Sequence, residues 1–219
     1  MSDDGSRLEL YVVDDLYADP WRVRTEGLTA RYHQPHPVLP WLVSAAGSAH
    51  RSVVDQRVQC LLGRPLHDGQ GDVPGGTVGR FSCCLADAAP LISVHSDPYE
   101  WAAVVFLSPE PPPGSGTAFL RHRETGRSRR PPAADGSDLR SPVPHDTDYE
   151  LSAYDVVASV PNRYNRLVVY DGRLLHAAES YYGNDLASGR LTQTFFWNTS
   201  GRYRAVAEAP VVGRPVGPR

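Results

Sequence analysis

The chain has 219 residues and a mass of 24.0 kDa, which points to one domain large enough to bury a core. Hydrophobic residues at 41% and charged residues at 21% describe an ordinary globular composition, and Gly 19 with Pro 20 makes it loop-rich without reaching that of a disordered chain. A formal net charge of -3 gives no case for nucleic-acid binding, and all 22 basic residues are Arg, which excludes mechanisms built on a lysine such as a Schiff base or a Walker A loop.

In chain order, 8–14 (LELYVVD) reads as a first strand. Asp19-Pro20 then supplies an N-cap and a proline at the first helical position, with Trp21, Arg24, Leu28 and Tyr32 at helical spacing over about 20–32. Three prolines make 33–40 a loop. A second helix is expected over about 50–62, with Val54, Val58, Leu61 and Leu62 on one face and Gly63 at its end. The Gly- and Asp-rich 63–79 reads as a loop. From there the segments become short, β-branched and aromatic: 80–85, 91–97, 102–107, 117–122, 155–160, 166–170, 174–178 and 191–198 all read as strands. About eight strands in series after two helices predict a mostly β protein with flanking N-terminal helices, arranged as an antiparallel sandwich, barrel or jelly roll. One domain over 1–219 is expected, with helical support at 1–79, a β-core at 80–198 and a polar insertion at about 124–150 that is either an excursion or a lid.

Cys60, Cys83 and Cys84 form no paired spacing, so they read as small buried hydrophobes rather than a disulfide framework. The polar start of the chain does not look like a signal peptide, and no apolar run approaches the ~20 residues of a membrane span. A cytoplasmic protein with no membrane partner is the expectation.

The chemistry-bearing residues begin with His95-Ser96-Asp97. In a strand, residues two apart share a face, so this His and this carboxylate can each give one ligand to a single metal. Alone the triplet is weak, because chance is expected to supply about 0.6 of one in a chain of this composition. Next comes Asn165 to Ala177, NRLVVYDGRLLHA, read as a strand, an Asp171-Gly172 hairpin turn and a second strand carrying His176. Then Arg190-Leu191-Thr192 places an Arg and a hydroxyl on one strand face, 14 residues past His176, where the guanidinium fork suits a carboxylate. Two His and one carboxylate make the facial triad of non-haem Fe(II) oxygenases, which leaves positions open for cosubstrate and oxygen.

With H-x-D, a distal H and R-x-T in this order, the sequence resembles the Fe(II)/2-oxoglutarate-dependent oxygenases over about 80–198. The stretch VVDDLYADPWRVR is similar to the entry helix of prolyl-hydroxylase-like members. WAAVVFLSPE and GSGTAFLRHRETG match further pieces, the turn Gly114-Ser115-Gly116-Thr117 standing where the family has a Gly-Gly-Thr-like turn. The resemblance implies a double-stranded β-helix, with His95, Asp97 and His176 as iron ligands and Arg190 on the distal carboxylate of 2-oxoglutarate, assisted by Thr192. It also implies Fe(II), 2-oxoglutarate and O2 as the cofactor set, and oxidative decarboxylation coupled to oxidation of a substrate. Related halogenases carry a small residue in place of the carboxylate, so Asp97 favours hydroxylation or a relative of it, such as desaturation, epoxidation or ring closure.

Tyr99 and Trp101 follow the ligand strand and are candidates for the mouth of the site, with packing of the barrel rim as the alternative. Arg121 leads five arginines in ten residues, suited to an anionic substrate or the acidic face of a carrier protein, or else a solvated loop. Trp197 alternates away from Arg190 and is expected in the core. The leading expectation is a hydroxylase of a small molecule, an amino acid or natural-product intermediate, free or carrier-bound. The alternatives are a protein or peptide side-chain hydroxylase and a non-catalytic metal- or ligand-binding jelly roll.

Overall fold

The computed structural model describes residues 8–35, 41–68, 79–92, 94–97, 99–129 and 151–199. Its elements are β1 (Leu10–Val13), α1 (Pro20–Thr29), β2 (Tyr32–His33), β3 (Trp41–Gly47), α2 (Arg51–Leu62), β4 (His67–Asp68), β5 (Arg80–Cys84), β6 (Trp101–Phe106), β7 (Thr117–His122), β8 (Tyr154–Val160), β9 (Leu167–Asp171), β10 (His176–Ala178) and β11 (Arg190–Asn198). Two short 3₁₀ turns cover Ala86–Leu91 and Leu151–Ala153. The strands form two antiparallel sheets. The larger runs β1-β9-β6-β11-β5-β3-β2, with β4 also on β11, and the smaller runs β10-β7-β8.

The helices begin and end where local chemistry dictates. Asp19 accepts a hydrogen bond from the Arg22 backbone N–H at 3.1 Å and Pro20 opens α1. Gly63 closes α2 in the left-handed conformation at φ 62. Both helices lie on one face of the large sheet. Val23, Val54 and Val58 pack there against Phe81, Cys83, Trp101, Ala103, Val105, Leu167, Val169, Leu191, Phe195 and Trp197. Each fully buried valine of α2 contributes about 2 kcal/mol of transfer free energy. Trp197, expected in the core, is there, and its indole N–H donates to Asp55 of α2 at 2.8 Å.

The other face of the large sheet looks toward the small one. Ala102, Val104 and Phe106 of β6, with Val168 and Tyr170 of β9, meet Phe119 of β7, Val160 of β8 and Leu174. Alternation along each strand therefore sorts residues between a helix-side core and an inter-sheet core. A third cluster of Val94, Ala118, Leu120, Tyr154, Leu175 and Ala177 covers the outer face of the small sheet.

Several elements differ from the sequence expectation. The 91–97 segment is not a continuous strand: a 3₁₀ turn ends at Leu91, and within 94–97 only His95 forms a bridge. Trp41–Gly47 is a strand that its weak alternation does not announce. β4 occupies part of the expected 63–79 loop, whose residues 69–78 lie outside the described ones. α1 stops at Thr29, and Tyr32 already belongs to a strand. Cys83 and Cys84 are buried as expected, whereas Cys60 is exposed on α2. Of the polar 124–150 segment, 130–150 lies outside the described residues. Its beginning packs against the strand end before His176: Leu175 N–H donates to Ser128 at 2.9 Å, and Arg129 bridges Leu174.

Candidate metal centre

Asp171-Gly172 is not a hairpin. β9 pairs with β1 and β6 in the large sheet, whereas β10 pairs with β7 in the small one. The turn carries the chain from one sheet to the other. Leu174 N–H closes it on the Asp171 carbonyl at 3.0 Å, and Asp171 Oδ1 accepts the Arg173 N–H at 2.9 Å. Arg129 and Arg173 clasp the same carboxylate at 2.6 and 2.7 Å. Gly172 is required by proximity: a Cβ there would fall on the Tyr99 carbonyl oxygen and lie 3.5 Å from Asp97 Cβ. Its carbonyl accepts the Asp97 N–H at 2.7 Å.

This crossing brings His176 opposite His95. The two residues form an isolated antiparallel bridge, with ring centroids 4.3 Å apart. The ligand atoms of His95, Asp97 and His176 all lie within 4.8 Å of one another. Asp97 and His176 are buried and His95 is exposed, so the group opens to solvent on the His95 side.

The donor set suits a metal ion. His176 Nδ1 sits 2.8 Å from the Leu174 carbonyl, which places the proton there and leaves the Nε2 lone pair facing Asp97 Oδ2 at 3.4 Å. Burial, and then the neighbouring His95, push the His176 pKa down to about 4. The imidazole is thus the neutral form that ligates.

A residue that the sequence did not single out completes the cluster. The Tyr170 hydroxyl donates to Asp97 Oδ2 at 3.3 Å and lies 3.1 Å from His176 Nε2. Its ring packs on Phe119 and His176 at 5.3 and 4.8 Å. Burial and Asp97 raise its pKa well above the usual phenol value. The signal was present in β9, where Tyr170 shares the inward parity of Val168, but a tyrosine in a strand ordinarily reads as packing.

Arg190 stands on β11 with its even-numbered neighbours on the inter-sheet side. Its Nε donates to the Ser115 carbonyl at 3.1 Å and its Nη2 to the Gly116 carbonyl at 3.2 Å, with Thr117 Oγ1 at 3.5 Å. The Phe106 ring lies 5.3 Å under the guanidinium. The Gly114–Thr117 turn is therefore the cradle of this arginine. Arg190 is 7% exposed, and among the described residues no carboxylate pairs with it. Its charge is felt by Tyr170, Cys84 and Tyr181, whose pKa values it lowers against the upward pull of burial. Thr192 is buried two residues on, and its hydroxyl donates to the Ser82 carbonyl at 3.3 Å.

The remaining candidates scatter. Tyr99 is buried with its ring 5.0 Å from Phe196, two residues from Asp97. Trp101 lies in the helix-side core, 6.1 Å from Tyr11, on the face of β6 turned away from the triad. Arg121 is exposed and pairs loosely with Asp155 at 3.9 Å. Asn165 is structural: at φ 62 it accepts the Tyr17 N–H and donates to the Tyr17 carbonyl.

Fold and site together describe a mostly β protein of two antiparallel sheets with two helices, carrying a His-Asp-His group able to hold a metal. The fold is that of HygX from Streptomyces hygroscopicus, solved with nickel, 2-oxoglutarate and hygromycin B. The two share 13% sequence identity at a TM-score of 0.51, over 85% of this chain and 82% of that one. The HygX structure with nickel and 2-oxoglutarate alone matches equally, at 0.51. The non-haem alpha-ketoglutarate-dependent epimerase SnoN from nogalamycin biosynthesis is more distant, at 12% identity and a TM-score of 0.47 over 86% and 76%. The chain itself belongs to a family of unknown function, DUF6445, whose model matches residues 4–197. No protein of curated function matches the sequence. No helix among the described residues is long and apolar enough to cross a membrane.

Proposed function

We propose that this protein is a non-haem Fe(II)/2-oxoglutarate-dependent oxygenase of double-stranded β-helix fold that oxidises a small molecule. The substrate class is an amino acid or natural-product intermediate, free or carrier-bound. The observation that carries this is the buried Arg190, whose partners are neutral carbonyls and a hydroxyl, on the same inter-sheet side as the His95–Asp97–His176 group. Among the described residues Arg190 has no counter-charge, and a buried cation so placed is costly. A carboxylate of 2-oxoglutarate held by Arg190 would supply that charge. A plain metal-binding module or a zinc hydrolase would leave Arg190 only the structural job of tying the Gly114–Thr117 turn to β11.

His95, Asp97 and His176 would hold the iron, which with 2-oxoglutarate and O2 supplies the oxidising power. Arg190 binds the far carboxylate through charge-assisted hydrogen bonds. The Ser115 and Gly116 carbonyls hold the guanidinium plane in place, so little side-chain entropy is lost on binding. Thr192 adds a hydroxyl on the same strand face. Phe106, Phe119 and Leu174 wall the inter-sheet space and exclude water. Substrate approaches from the exposed His95 side, where Tyr99 lies two residues beyond Asp97. The fold likeness to HygX, whose structure holds 2-oxoglutarate and the small molecule hygromycin B, supports this substrate class.

The test is an anaerobic titration with Fe(II) and 2-oxoglutarate, followed through the weak visible metal-to-ligand charge-transfer band. The band appears in wild type and is lost in His176→Ala and Arg190→Ala. A wild type that never shows it overturns the proposal.

A further inference from the structure

Tyr170 is placed too close to the ligand atoms to be a bystander. Its hydroxyl lies 3.3 Å from Asp97 Oδ2 and 3.1 Å from His176 Nε2, which are 3.4 Å from each other. These three distances form a nearly equilateral triangle. Adjacent ligands of an octahedral ion, each about 2.1 Å from the metal, stand about 3.0 Å apart. The triangle therefore matches one face of such an octahedron, with the phenol oxygen at one corner.

The surroundings leave the phenol little freedom. Tyr170 is 5% exposed, and its ring is held edge-on by Phe119 and His176. Its backbone is paired on both sides, to Leu10 of β1 and Ala102 of β6. The hydroxyl has one proton and two acceptors, and both acceptors are atoms that would face the metal. The phenol oxygen thus touches one atom of each of two ligand residues.

We propose that Tyr170 is a fourth protein ligand of the centre, binding trivalent iron through its phenolate oxygen when the iron is oxidised. This rests on the metal site proposed above and adds to it. A phenolate is a hard anionic donor and favours the trivalent over the divalent ion. On coordination the phenol proton is lost to solvent and the oxygen–metal bond forms, with no change in the iron's charge in that step. In the oxidation that precedes it, the divalent iron would pass one electron to dissolved O2, which leaves as superoxide. Tyr170 thereby occupies one position of the oxidised centre that the divalent form keeps available.

The experiment uses the full chain. The protein is stripped of metal with a chelator, loaded with an equivalent of Fe(II) under nitrogen, then exposed to air without 2-oxoglutarate. Wild type is expected to develop the broad visible absorption of phenolate-to-iron(III) charge transfer. Tyr170→Phe, at the same measured iron content, stays without it. Resonance Raman excited in the wild-type band shows tyrosinate ring modes, so the answer does not depend on Tyr170→Phe folding. Wild type that binds iron stoichiometrically but develops no band overturns the proposal, as does a band that survives in Tyr170→Phe. Both of those results leave the three-residue site standing. Wild type that binds neither Fe(II) nor Co(II) overturns the metal site itself, and Tyr170 with it.

Discussion

His95 and His176 are hydrogen-bonded to each other through their backbones, His95 N–H to the His176 carbonyl at 3.0 Å and the reverse at 2.9 Å. The spacing of the two imidazoles is thus set by strand register. Removing either side chain leaves both backbone bonds intact. His95→Ala and His176→Ala are therefore expected to keep the wild-type circular dichroism while losing at least about 100-fold in Co(II) or Fe(II) affinity. Isothermal titration measures it, and wild-type affinity in either variant would remove that residue from the site.

Gly172→Ala tests the crossing turn. The added Cβ collides with the Tyr99 carbonyl and crowds Asp97. Overpacking of this kind costs about 1–3 kcal/mol. The expected result is a lower denaturation midpoint together with weakened metal binding, because the Gly172 carbonyl holds the Asp97 backbone. A stability loss with unchanged metal affinity would show that Asp97 is positioned independently of the turn.

Arg190→Ala should leave metal binding near wild type and weaken 2-oxoglutarate binding by about 100-fold, the rough cost of removing one partner of a buried charge pair. Arg190→Lys should recover only part of this. A lysine keeps the charge but not the fork that the Ser115 and Gly116 carbonyls hold. Competition between 2-oxoglutarate and succinate for the loaded protein reads both effects.

Asn165→Ala should cost about 3 kcal/mol. It removes two buried hydrogen bonds to Tyr17 and leaves an alanine at φ 62. Asn165→Gly restores the backbone freedom and should recover about 1 kcal/mol. Urea unfolding of the three proteins checks the order.

Thiol reactivity follows from burial. Burial, and then the neighbouring Cys84, push the Cys83 thiol up to about 12, and burial raises Cys84 as well. The reactive species is the thiolate. At pH 8 a disulfide reagent should therefore modify Cys60 alone in the native protein and all three cysteines after unfolding. Fast modification of three thiols without denaturant would contradict the packing around β5.

Much of the fold was legible because most strands are short, apolar and bounded by turn residues. The strand Thr117–His122 begins and ends where the sequence places it. Pairing was less legible. Asp-Gly between two apolar runs signals a tight turn, but turn chemistry is local and cannot say whether the flanking strands join each other or two different sheets. Ile92 and Val94 make the 91–97 segment read as extended, yet a 3₁₀ turn ends at Leu91 and within 94–97 only His95 forms a bridge. In the site, the H-x-D spacing and the distal His singled out three residues whose ligand atoms the structure brings within 4.8 Å of one another. Trp101 was drawn in by nearness in sequence to Asp97 and Arg121 by its run of arginines, but Trp101 is turned into the helix-side core and Arg121 is exposed beside Asp155. Tyr170 was missed because only tertiary structure sets its hydroxyl beside Asp97.

β11 is a party wall between two rooms. Leu191, Phe195 and Trp197 furnish the helix-side room, while Arg190 and Thr192 open into the other. Neighbouring residues on this one strand therefore meet different demands, one set packing under the helices and the other facing the space between the sheets. A side chain exchanged at an even position is thus felt between the sheets, while the packing under the helices keeps the strand where it is.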